Sequence, residues 1–597
     1  MCLSRWVVAK PTGIHAKLGF VGRILVVEPV AQPALDLLAE SHAAEVRIGL
    51  PREELLQLLG EGGGWDALVV RSQTRVDGEL LAAAAPRLSV VGVASVGIDR
   101  IDLEAATRAG VMVVNAPTGN TIAAAEHTMA LMLALLRHIP AADASVRSGG
   151  WERGRYTGEE LRGKTLGVIG LGKIGKAVAR RAAGFEMRVL ASDPYLTEDQ
   201  VAEHGARLVG LTELLHRSDV ITVHTPLTPQ TRGLVGRAQL DATKRRAYVL
   251  NVARGGIVDE QALADALTSG QLAGAAVDVF ESEPMAPDNP LRTAPNVVLT
   301  PHLGASTAEA QDRVGLEMAE QVMMALNGIT PPYAINAPAI PPDVGPKLRP
   351  YVELARRLAM LARQQCHGAF ASVSLTYAGE IAAGECAPIR TAALAGVLEA
   401  VTDQRVNAVN ADLVARDRGL TVREERTASS EPWASLVALA LGPVDGPSTV
   451  ELAGSTAHGR PHLASIDGFA IDAELSGLIV VTRHHDRPGI VGAVGTILAE
   501  AGINISSLEL SRLSERGDAM MFISVDDTVD EAVLHRVRST DGVVEAQVVE
   551  LPGALMAGTY ERRVPKPFTS SADAEHGAVV DRHRVRRRQR RPSGSSS

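Results

Sequence analysis

Three residues with complementary chemistry each follow a short apolar run that is typical of a β-strand. Arg254 follows the run AYVLNVA, Glu283 follows AAVDVF and His302 follows NVVLTP. In open α/β sheets the chemistry lies beyond the carboxyl ends of the strands, so neighbouring strands would bring these side chains together. Each residue alone also fits a surface charge or a loop position. Their shared placement predicts one site, in which a histidine paired with a carboxylate exchanges protons beside an arginine that binds a substrate carboxylate.

A glycine-rich turn in the segment GVIGLGKIG predicts a dinucleotide site. Gly170, Gly172 and Gly175 have the G-x-G-x-x-G spacing, directly after the strand-like run TLGVIG and at the start of the helix-like run KIGKAVARRAAG. The first glycine makes a tight turn, the second lets the backbone approach a pyrophosphate, and the third lets helix and strand pack closely. Asp193 lies 18 residues after Gly175, where a carboxylate accepts hydrogen bonds from ribose hydroxyls and repels a 2′-phosphate. NAD is therefore predicted rather than NADP.

Together these patterns predict hydride transfer between NAD and a small 2-hydroxy acid. While the hydroxyl carbon gives up hydride, His302 takes the hydroxyl proton and Glu283 orients the imidazole. Arg254 binds the substrate carboxylate and polarises the adjacent carbonyl. Asp278, near the end of AAVDVF, is placed to contact the nicotinamide.

The composition limits the class of protein. A chain of 597 residues is too long for one core and predicts three or four domains. A net charge of −9 gives the whole molecule no electrostatic reason to bind nucleic acid, and the basic C-terminal run RHRVRRRQRRPSGSSS is more typical of a solvated tail. We recognise neither a signal peptide nor an apolar run long enough for a bilayer, which predicts a cytoplasmic protein without membrane contact. The chain has three cysteines, Cys2, Cys366 and Cys386. They lack metal-ligand spacing, so no metal site is predicted.

Alternating strand-like and helix-like runs predict an α/β fold with two doubly wound parallel-sheet lobes, a flavodoxin-like substrate lobe and a Rossmann NAD lobe. A helix from about Asn120 to His138, with Asn120 and Thr121 as capping residues, is predicted between them. From Gly477 the order is βαββαβ, which is typical of a ferredoxin-like domain. The predicted domains are an N-terminal extension (1–22), the substrate lobe (23–120, completed by about 308–333), the NAD lobe (121–307), an α+β intervening domain (345–474), the ferredoxin-like domain (477–551) and a disordered basic tail (552–597).

Seven segments, over about residues 67–325, resemble the D-isomer-specific 2-hydroxyacid dehydrogenase family, and most closely its long phosphoglycerate dehydrogenase branch. They are NAPTGNTIAAAEHT, WERGRYTGEEL, GKTLGVIGLGKIG, VHTPLTPQTRGLV, NVARGGIVDE, AAVDVFESEP and TPHLGASTAEAQDR. The resemblance implies NAD-dependent oxidation of 3-phospho-D-glycerate to 3-phosphohydroxypyruvate, the first step of L-serine biosynthesis. It gives His302, Glu283, Arg254 and Asp278 the same roles as the residue-level argument.

The resemblance also implies two sets of contact residues. The cofactor set is Gly170, Gly172, Lys173, Ile174, Gly175, Asp193, Thr225, Pro226, Ala253, Asp278, His302 and Gly304. The substrate set is Arg71, Ser72, Gly97, Arg137, Arg254 and His302.

The βαββαβ segment resembles an ACT domain, whose relatives bind amino acids at interfaces between subunits. Asp486, before the helix IVGAV, and Asn504, in AGINI, match the effector-contact positions of this module. The alternative is that Asp486 only caps the helix and Asn504 only closes a turn. The intervening stretch resembles the extra domain of the long branch, which that branch uses in assembly and control. The resemblance therefore implies feedback inhibition by L-serine and a homotetramer.

One segment departs from the family pattern and leaves alternatives open. The family usually has R-A-G-x-G-x-D-N where this chain has VASVGIDR, so Val93 replaces an arginine that helps to hold the substrate phosphate. Ser95 replaces the first glycine, and Arg100 replaces the asparagine. Losing one charge-assisted contact costs about 1.5–3 kcal/mol, which is enough to redirect specificity. The alternatives are a dehydrogenase of another D-2-hydroxy acid and an NAD-sensing binding protein without catalysis.

Overall fold

The computed structural model describes residues 6–7, 21–61, 64–341, 344–402 and 404–553. The predicted basic tail lies outside the described residues apart from its first two positions. Of the predicted extension 1–22, only residues 6–7 and 21–22 are described. The chain divides into two compact units, Met1–Glu474 and Leu475–Ser597.

The substrate lobe is a six-stranded sheet covered by helices. The strand order is β1-β3-β2-β4-β5-β6, and all pairs are parallel except β1 with β3. Helix α12 (Ala308–Leu326) follows the NAD lobe in sequence and packs against α1 (Gln32–Ser41) and β5 (Val90–Val93), and its residues Val314 and Met318 are buried. The other elements of this lobe are β1 Trp6–Val7, β2 Arg23–Val26, α1 Gln32–Ser41, β3 Ala43–Val46, α2 Arg52–Gly60, β4 Ala67–Val70, α3 Gly78–Ala84, β5 Val90–Val93, α4 Leu103–Arg108 and β6 Met112–Val114.

The NAD lobe is a seven-stranded parallel sheet with helices on both faces. Its order is β13-β12-β11-β10-β7-β8-β9, so the direction of winding reverses between β7 and β10, where a doubly wound sheet opens a crevice for its ligand. Its elements are α5 Thr121–Leu136, α6 Ile139–Arg147, β7 Thr165–Ile169, α7 Lys173–Gly184, β8 Arg188–Ser192, α8 Glu198–Ala202, β9 Ala206–Leu208, α9 Leu211–Arg217, β10 Val220–Val223, α10 Arg237–Asp241, β11 Ala247–Asn251, α11 Glu260–Thr268, β12 Leu272–Val277 and β13 Val297–Leu299, with 3-10 turns at Arg153–Tyr156 and Pro290–Arg292.

Helix α5 has Asn120 as its N-cap residue, as predicted, and is shorter than predicted at its C-terminal end. It begins at Thr121 and ends at Leu136, two residues before the predicted end. The side chain of Asn120 makes no capping hydrogen bond, because its backbone (φ −101°, ψ 0°) lies outside the extended region that N-cap residues adopt. His138 has a left-handed conformation (φ 53°) that breaks the helix before α6.

The intervening region is an α+β domain built on a six-stranded sheet of order β15-β14-β16-β17-β18-β19. Helix α13 packs on the sheet and on α14. Asn407 donates a hydrogen bond to the Gly110 carbonyl (2.7 Å), which attaches this domain to the substrate lobe. The elements are α13 Gly345–Gln365, β14 Ser372–Gly379, α14 Ala387–Leu398, α15 Ala411–Asp417, β15 Thr421–Thr427, β16 Ser435–Gly442, β17 Val450–Ala457, β18 Arg460–Ile466 and β19 Phe469–Glu474, with 3-10 turns at Glu380–Ala383 and Glu399–Val401.

The second unit confirms the predicted βαββαβ order. Its four strands pair antiparallel in the order β21-β22-β20-β23, and two helices cover the sheet around a core that includes Val480, Leu498 and Ile523. The elements are β20 Gly477–His485, α16 Ile490–Glu500, β21 Ile505–Arg512, β22 Asp518–Val525, α17 Glu531–Arg538 and β23 Val543–Leu551.

Among the described residues, no single helix has both the length and the apolar composition to cross a membrane. Only the bent pair Thr121–Leu136 and Ile139–Arg147 reaches that threshold, when the two helices are taken together.

Candidate active site

His302 and Glu283, the predicted acid–base pair, lie within hydrogen-bonding distance of each other. Nδ1 of His302 lies 2.8 Å from Oε2 of Glu283. His302 has a left-handed backbone (φ 56°), and its N–H donates to the Asp278 carbonyl at 2.8 Å, so the turn after β13 holds the ring against Glu283. Since Nδ1 faces the carboxylate, Nε2 is the ring atom left to exchange a proton with a ligand.

The pair shifts the pKa of each partner toward its charged form. The hydrogen bond to Glu283 raises the pKa of His302 above its ordinary value, although burial acts the other way. Burial alone would raise the pKa of Glu283, but the hydrogen bonds from His302 and from the Phe280 backbone lower it. Glu283 is therefore an anion that favours imidazolium at His302.

The substitution Glu283→Gln is expected to lower the pKa of His302, because the carboxylate that raises it is removed. In the predicted acid–base role, His302 must be neutral for oxidation and protonated for reduction. The rising limb of kcat/KM for oxidation should therefore move to lower pH, and reduction should begin to slow at a lower pH than in the wild type. The measurement is a pH profile in both directions, with Glu281→Gln as the control, since Glu281 is exposed and pairs with Arg232. An unchanged profile would contradict the pairing.

Asp278 stabilises the loop that contains His302. It is fully buried, and its oxygens accept hydrogen bonds from His127 Nε2 (3.1 Å), Thr300 Oγ1 (2.6 Å), Leu303 N (2.8 Å) and Gly304 N (2.9 Å). Burial would raise its pKa, but these donors hold it below the ordinary value. The predicted contact of Asp278 with the nicotinamide stays a prediction.

Arg254 lies in a turn that needs a glycine beside it. A Cβ on Gly255 would stand 1.9 Å from the Phe280 carbonyl oxygen, so only glycine lets the Arg254 turn touch the segment that leads to Glu283. Nη1 of Arg254 donates to the Ala253 carbonyl (2.8 Å), which fixes one side of the guanidinium. The other side is directed at the substrate lobe, where Nε lies 3.4 Å from Oδ2 of Asp99.

The glycine-rich turn has the shape that a dinucleotide requires. Gly170 has φ 88°, and a Cβ on Gly175 would stand 2.2 Å from the Gly170 carbonyl oxygen, so both positions exclude other residues. A Cβ on Gly172 would meet nothing within 4 Å, which leaves space above the turn. Oγ1 of Thr225 is buried and has no hydrogen-bond partner in the described part of the chain. Open space and a free hydroxyl beside the N-terminus of α7 fit a bound pyrophosphate.

The remaining predicted cofactor residues lie at the carboxyl end of the same sheet. Asp193 follows β8, and its carboxylate accepts hydrogen bonds from Leu171 N (2.9 Å) and Tyr195 N (3.0 Å). The others follow the carboxyl ends of strands or begin α7: Lys173, Ile174, Thr225, Pro226, Ala253 and Gly304.

The substitution Asp193→Ser is expected to lower the preference for NAD over NADP by about tenfold or more. It removes the ionised acceptor for the ribose hydroxyls and the charge that repels a 2′-phosphate. The measurement is the ratio of kcat/KM for the two cofactors. Asp199→Ser, on the exposed face of α8, is the control, and an unchanged ratio would show that Asp193 does not face the ribose.

A buried glutamate that was not predicted from the sequence stabilises a turn of the substrate lobe. Glu28 is 4% exposed and accepts hydrogen bonds from the backbone N–H groups of Ser72 (2.9 Å), Gln73 (3.0 Å) and Thr74 (2.8 Å). Burial would raise the pKa of Glu28, but these donors hold it below the ordinary value. The turn that follows Arg71 is thus tied to an internal anion.

The predicted effector residues are both hydrogen-bonded within the second unit. Asp486 accepts hydrogen bonds from Arg512 Nη1 (2.9 Å) and Arg516 N (3.2 Å), and Asn504 donates to Asp526 (2.5 Å). The alternative that Asp486 caps the helix is wrong, because α16 begins after Gly489 and has no side-chain cap.

Three regions match known protein families. Residues 129–304 match the NAD binding domain of D-isomer specific 2-hydroxyacid dehydrogenase, residues 347–467 the D-3-phosphoglycerate dehydrogenase intervening domain, and residues 478–542 the ACT domain. The D-3-phosphoglycerate dehydrogenase of Archaeoglobus fulgidus is 41% identical over 532 residues, which are 89% of this chain and 100% of that protein. The D-3-phosphoglycerate dehydrogenase of Bacillus subtilis is 39% identical over 534 residues, again 89% and 100%.

This chain belongs to the D-3-phosphoglycerate dehydrogenase family. It is an NAD-dependent dehydrogenase with a C-terminal ACT domain. Among solved structures, an NAD-dependent formate dehydrogenase from Staphylococcus aureus in complex with NAD is 31% identical, with a TM-score of 0.46, over 51% of this chain and 96% of that one.

The segment that departs from the phosphoglycerate dehydrogenase pattern has two different environments. Val93 is 1% exposed and packs in the core of the substrate lobe with Val70 and Val91. Arg100 is exposed, and its carbonyl accepts a hydrogen bond from Val76 N (2.9 Å). A valine therefore completes the core here. The cost of Val93 for phosphate binding stays a prediction.

Arg137 is a predicted substrate-binding residue that, in the described residues, is not bonded to the rest of the predicted site. It is exposed at the C-terminal end of α5 and packs beside Gly158. In the described part of the chain, its side chain makes no hydrogen bond or ion pair with the other predicted site residues.

Proposed function

We propose that this chain oxidises 3-phospho-D-glycerate to 3-phosphohydroxypyruvate with NAD, the first step of L-serine biosynthesis. The observation that carries the proposal is the His302–Glu283 pair, 2.8 Å apart, at the same sheet edge as Arg254 and the glycine turn. This arrangement fits a 2-hydroxy acid, because one group accepts the hydroxyl proton and another binds the adjacent carboxylate. Similarity to D-3-phosphoglycerate dehydrogenases supports a phosphorylated 2-hydroxy acid as the substrate.

The proton path follows from the geometry of the pair. Nε2 of His302 takes the hydroxyl proton as the carbonyl forms, and Glu283 stabilises the imidazolium that results. NAD would be held by the glycine turn and Asp193, and it would supply the hydride acceptor for the same carbon. Arg254 holds the carboxylate so that the hydroxyl faces His302. In the reverse direction the protonated ring returns its proton to the carbonyl oxygen, and the raised pKa of His302 favours this step.

Binding of the substrate phosphate is the role we propose for the loop that contains Arg71 and Ser72. Arg71 is half-buried, and the backbone after it is fixed by Glu28. A guanidinium at a fixed turn is a suitable phosphate ligand because little conformational freedom is lost on binding. Gly97 is proposed to contact the substrate beside Arg254, and Arg137 is proposed to act in a neighbouring subunit.

Regulation by L-serine through the ACT domain, in a cytoplasmic homotetramer, completes the proposal. Asp486 and Asn504 are the proposed contacts, since a carboxylate and an amide complement the ammonium and carboxylate of an amino acid. Asp486 is an anion, with its pKa lowered by the hydrogen bond from Arg512. Light scattering of the purified chain measures the number of subunits, and any number other than four would contradict the proposed homotetramer.

The experiment is an assay of the full chain with NAD and 3-phosphoglycerate, compared with D-lactate, D-glycerate and 2-hydroxyglutarate, with and without L-serine. The reverse reaction is followed with the corresponding 2-oxo acids. We expect phosphohydroxypyruvate to be reduced best and L-serine to inhibit. Asp486→Ala should lose inhibition while it keeps uninhibited activity.

Two results of this assay would contradict the proposal, and each would favour a different function. If another 2-oxo acid is reduced best, the chain is a dehydrogenase of a different D-2-hydroxy acid, which the buried Val93 in place of the family arginine would explain. If NADH binds and no substrate turns over, the chain is an NAD-sensing binding protein.

A further inference from the structure

An ion pair joins the two lobes at the proposed carboxylate ligand. Asp99 lies between β5 and α4 in the substrate lobe, and Arg254 follows β11 in the NAD lobe. Their closest charged atoms, Oδ2 of Asp99 and Nε of Arg254, are 3.4 Å apart. The guanidinium assigned to the substrate thus already faces a carboxylate of the chain.

The loop that carries Asp99 is shaped for this contact. A Cβ on Gly97 would stand 2.6 Å from Nη2 of Arg254 and 2.9 Å from Oδ2 of Asp99, so glycine lets the guanidinium lie across the loop. Ser95 donates to the Gly97 carbonyl (2.6 Å), and Asn115 donates to the Val96 carbonyl (2.7 Å). These hydrogen bonds hold the backbone of the loop in place. The Asp99 side chain is 68% exposed and therefore has room to rotate.

Within the described residues, the Arg254 donors that are not hydrogen-bonded to the backbone are on the side that Asp99 faces. Nη1 is committed to the Ala253 carbonyl, whereas Nε faces Asp99 and Nη2 lies against Gly97. A guanidinium binds a carboxylate best through two parallel N–H groups, and Nε with Nη2 is the edge still available. A substrate carboxylate and the Asp99 carboxylate would therefore require the same edge.

We propose that Asp99 is an internal competitor for the substrate carboxylate, which holds Arg254 in the free enzyme and moves aside when substrate binds. The proposal rests on the proposed role of Arg254 in the reaction. Asp99 makes Arg254 selective, since only a ligand with a carboxylate replaces the pair without leaving the guanidinium unpaired in the cleft. Exposed ion pairs contribute little, so the competition is mild and reversible.

The test uses oxamate, which has the carboxylate and carbonyl of a 2-oxo acid but no phosphate. Its Kd for the full chain saturated with NADH is measured by quenching of NADH fluorescence, for the wild type and for Asp99→Asn. We expect Asp99→Asn to bind oxamate about two- to fivefold more tightly, to lower KM for the 2-oxo acid by a similar factor, and to leave kcat unchanged.

Glu104→Gln is the matched control. It removes one exposed carboxylate of the same lobe, on α4, which pairs with Arg108 and not with Arg254. Its Kd for oxamate should equal that of the wild type, which separates competition at Arg254 from a general change in charge. Added salt should reduce the difference between Asp99→Asn and the wild type, because screening already weakens the ion pair.

Unchanged or weaker oxamate binding by Asp99→Asn would overturn the proposal, because Asp99 would then orient Arg254 and not compete with the ligand. Failure of oxamate to bind either protein would overturn it as well. Tighter binding in a chain that does not turn over 3-phosphoglycerate would support the competitor role and reject only the proposed substrate. The failures of the two proposals are therefore distinguishable.

Discussion

Replacement of His302 by glutamine is expected to lower kcat by about 10²–10⁴-fold in both directions, because the reaction loses the proposed proton acceptor and donor at the substrate oxygen. Glutamine keeps a polar group of similar size but cannot exchange a proton near neutral pH. The residual rate should also lose the pH dependence assigned to the imidazole. Most of the affinity for NADH should persist, since His302 is one of many predicted cofactor contacts and the glycine turn and Asp193 follow other strands.

The measurement combines steady-state rates across pH with NADH fluorescence titration. His216→Gln is the matched control, because His216 is an exposed residue of α9, away from the catalytic strand ends. A loss of less than tenfold in kcat would mean that another group transfers the proton. An equal loss of NADH binding would mean that the substitution damages the lobe and not the chemistry.

The parts of the site that follow from strand periodicity could be predicted from the sequence. Parallel strands in a doubly wound sheet expose their carboxyl ends at one edge, so the runs before Arg254, Glu283 and His302 were enough to place these residues together. The glycine spacing fixed the cofactor turn for the same reason, because close approaches of backbone atoms tolerate no side chain. Short strands without an apolar run were missed, among them Ala206–Leu208.

The supporting residues could not be predicted, because their partners are distant in sequence. Glu28 meets backbone groups 44 to 46 residues away, and His127 meets Asp278 across 151 residues. A single acid or histidine near an apolar run is no signal for such contacts. Asn120 is the N-cap residue, but its side chain makes no capping hydrogen bond, because capping depends on the backbone conformation of the residue, which its type does not fix.

Replacement of Arg254 by glutamine is expected to lower kcat/KM by about 10²-fold, with most of the loss in KM. The substitution removes charge-assisted hydrogen bonds to the substrate carboxylate, which contribute about 1.5–3 kcal/mol each. Arg254→Lys keeps the charge but not the planar fork, so its loss should be intermediate. The positive charge of Arg254 also lowers the pKa of His302, so in Arg254→Gln the oxidation limb should move to higher pH.

Arg232→Gln is the control, because this exposed arginine lies close to the same turn, 3.2 Å from where a Cβ on Gly256 would stand, and pairs with Glu281. Its kinetic constants should be those of the wild type. If Arg254→Gln instead lowers kcat alone, the guanidinium acts only in the transition state, as an electrophile at the carbonyl. If it changes neither constant, the substrate carboxylate binds elsewhere, and the strand-end placement that unites Arg254 with His302 would reflect the architecture of the sheet and not the reaction.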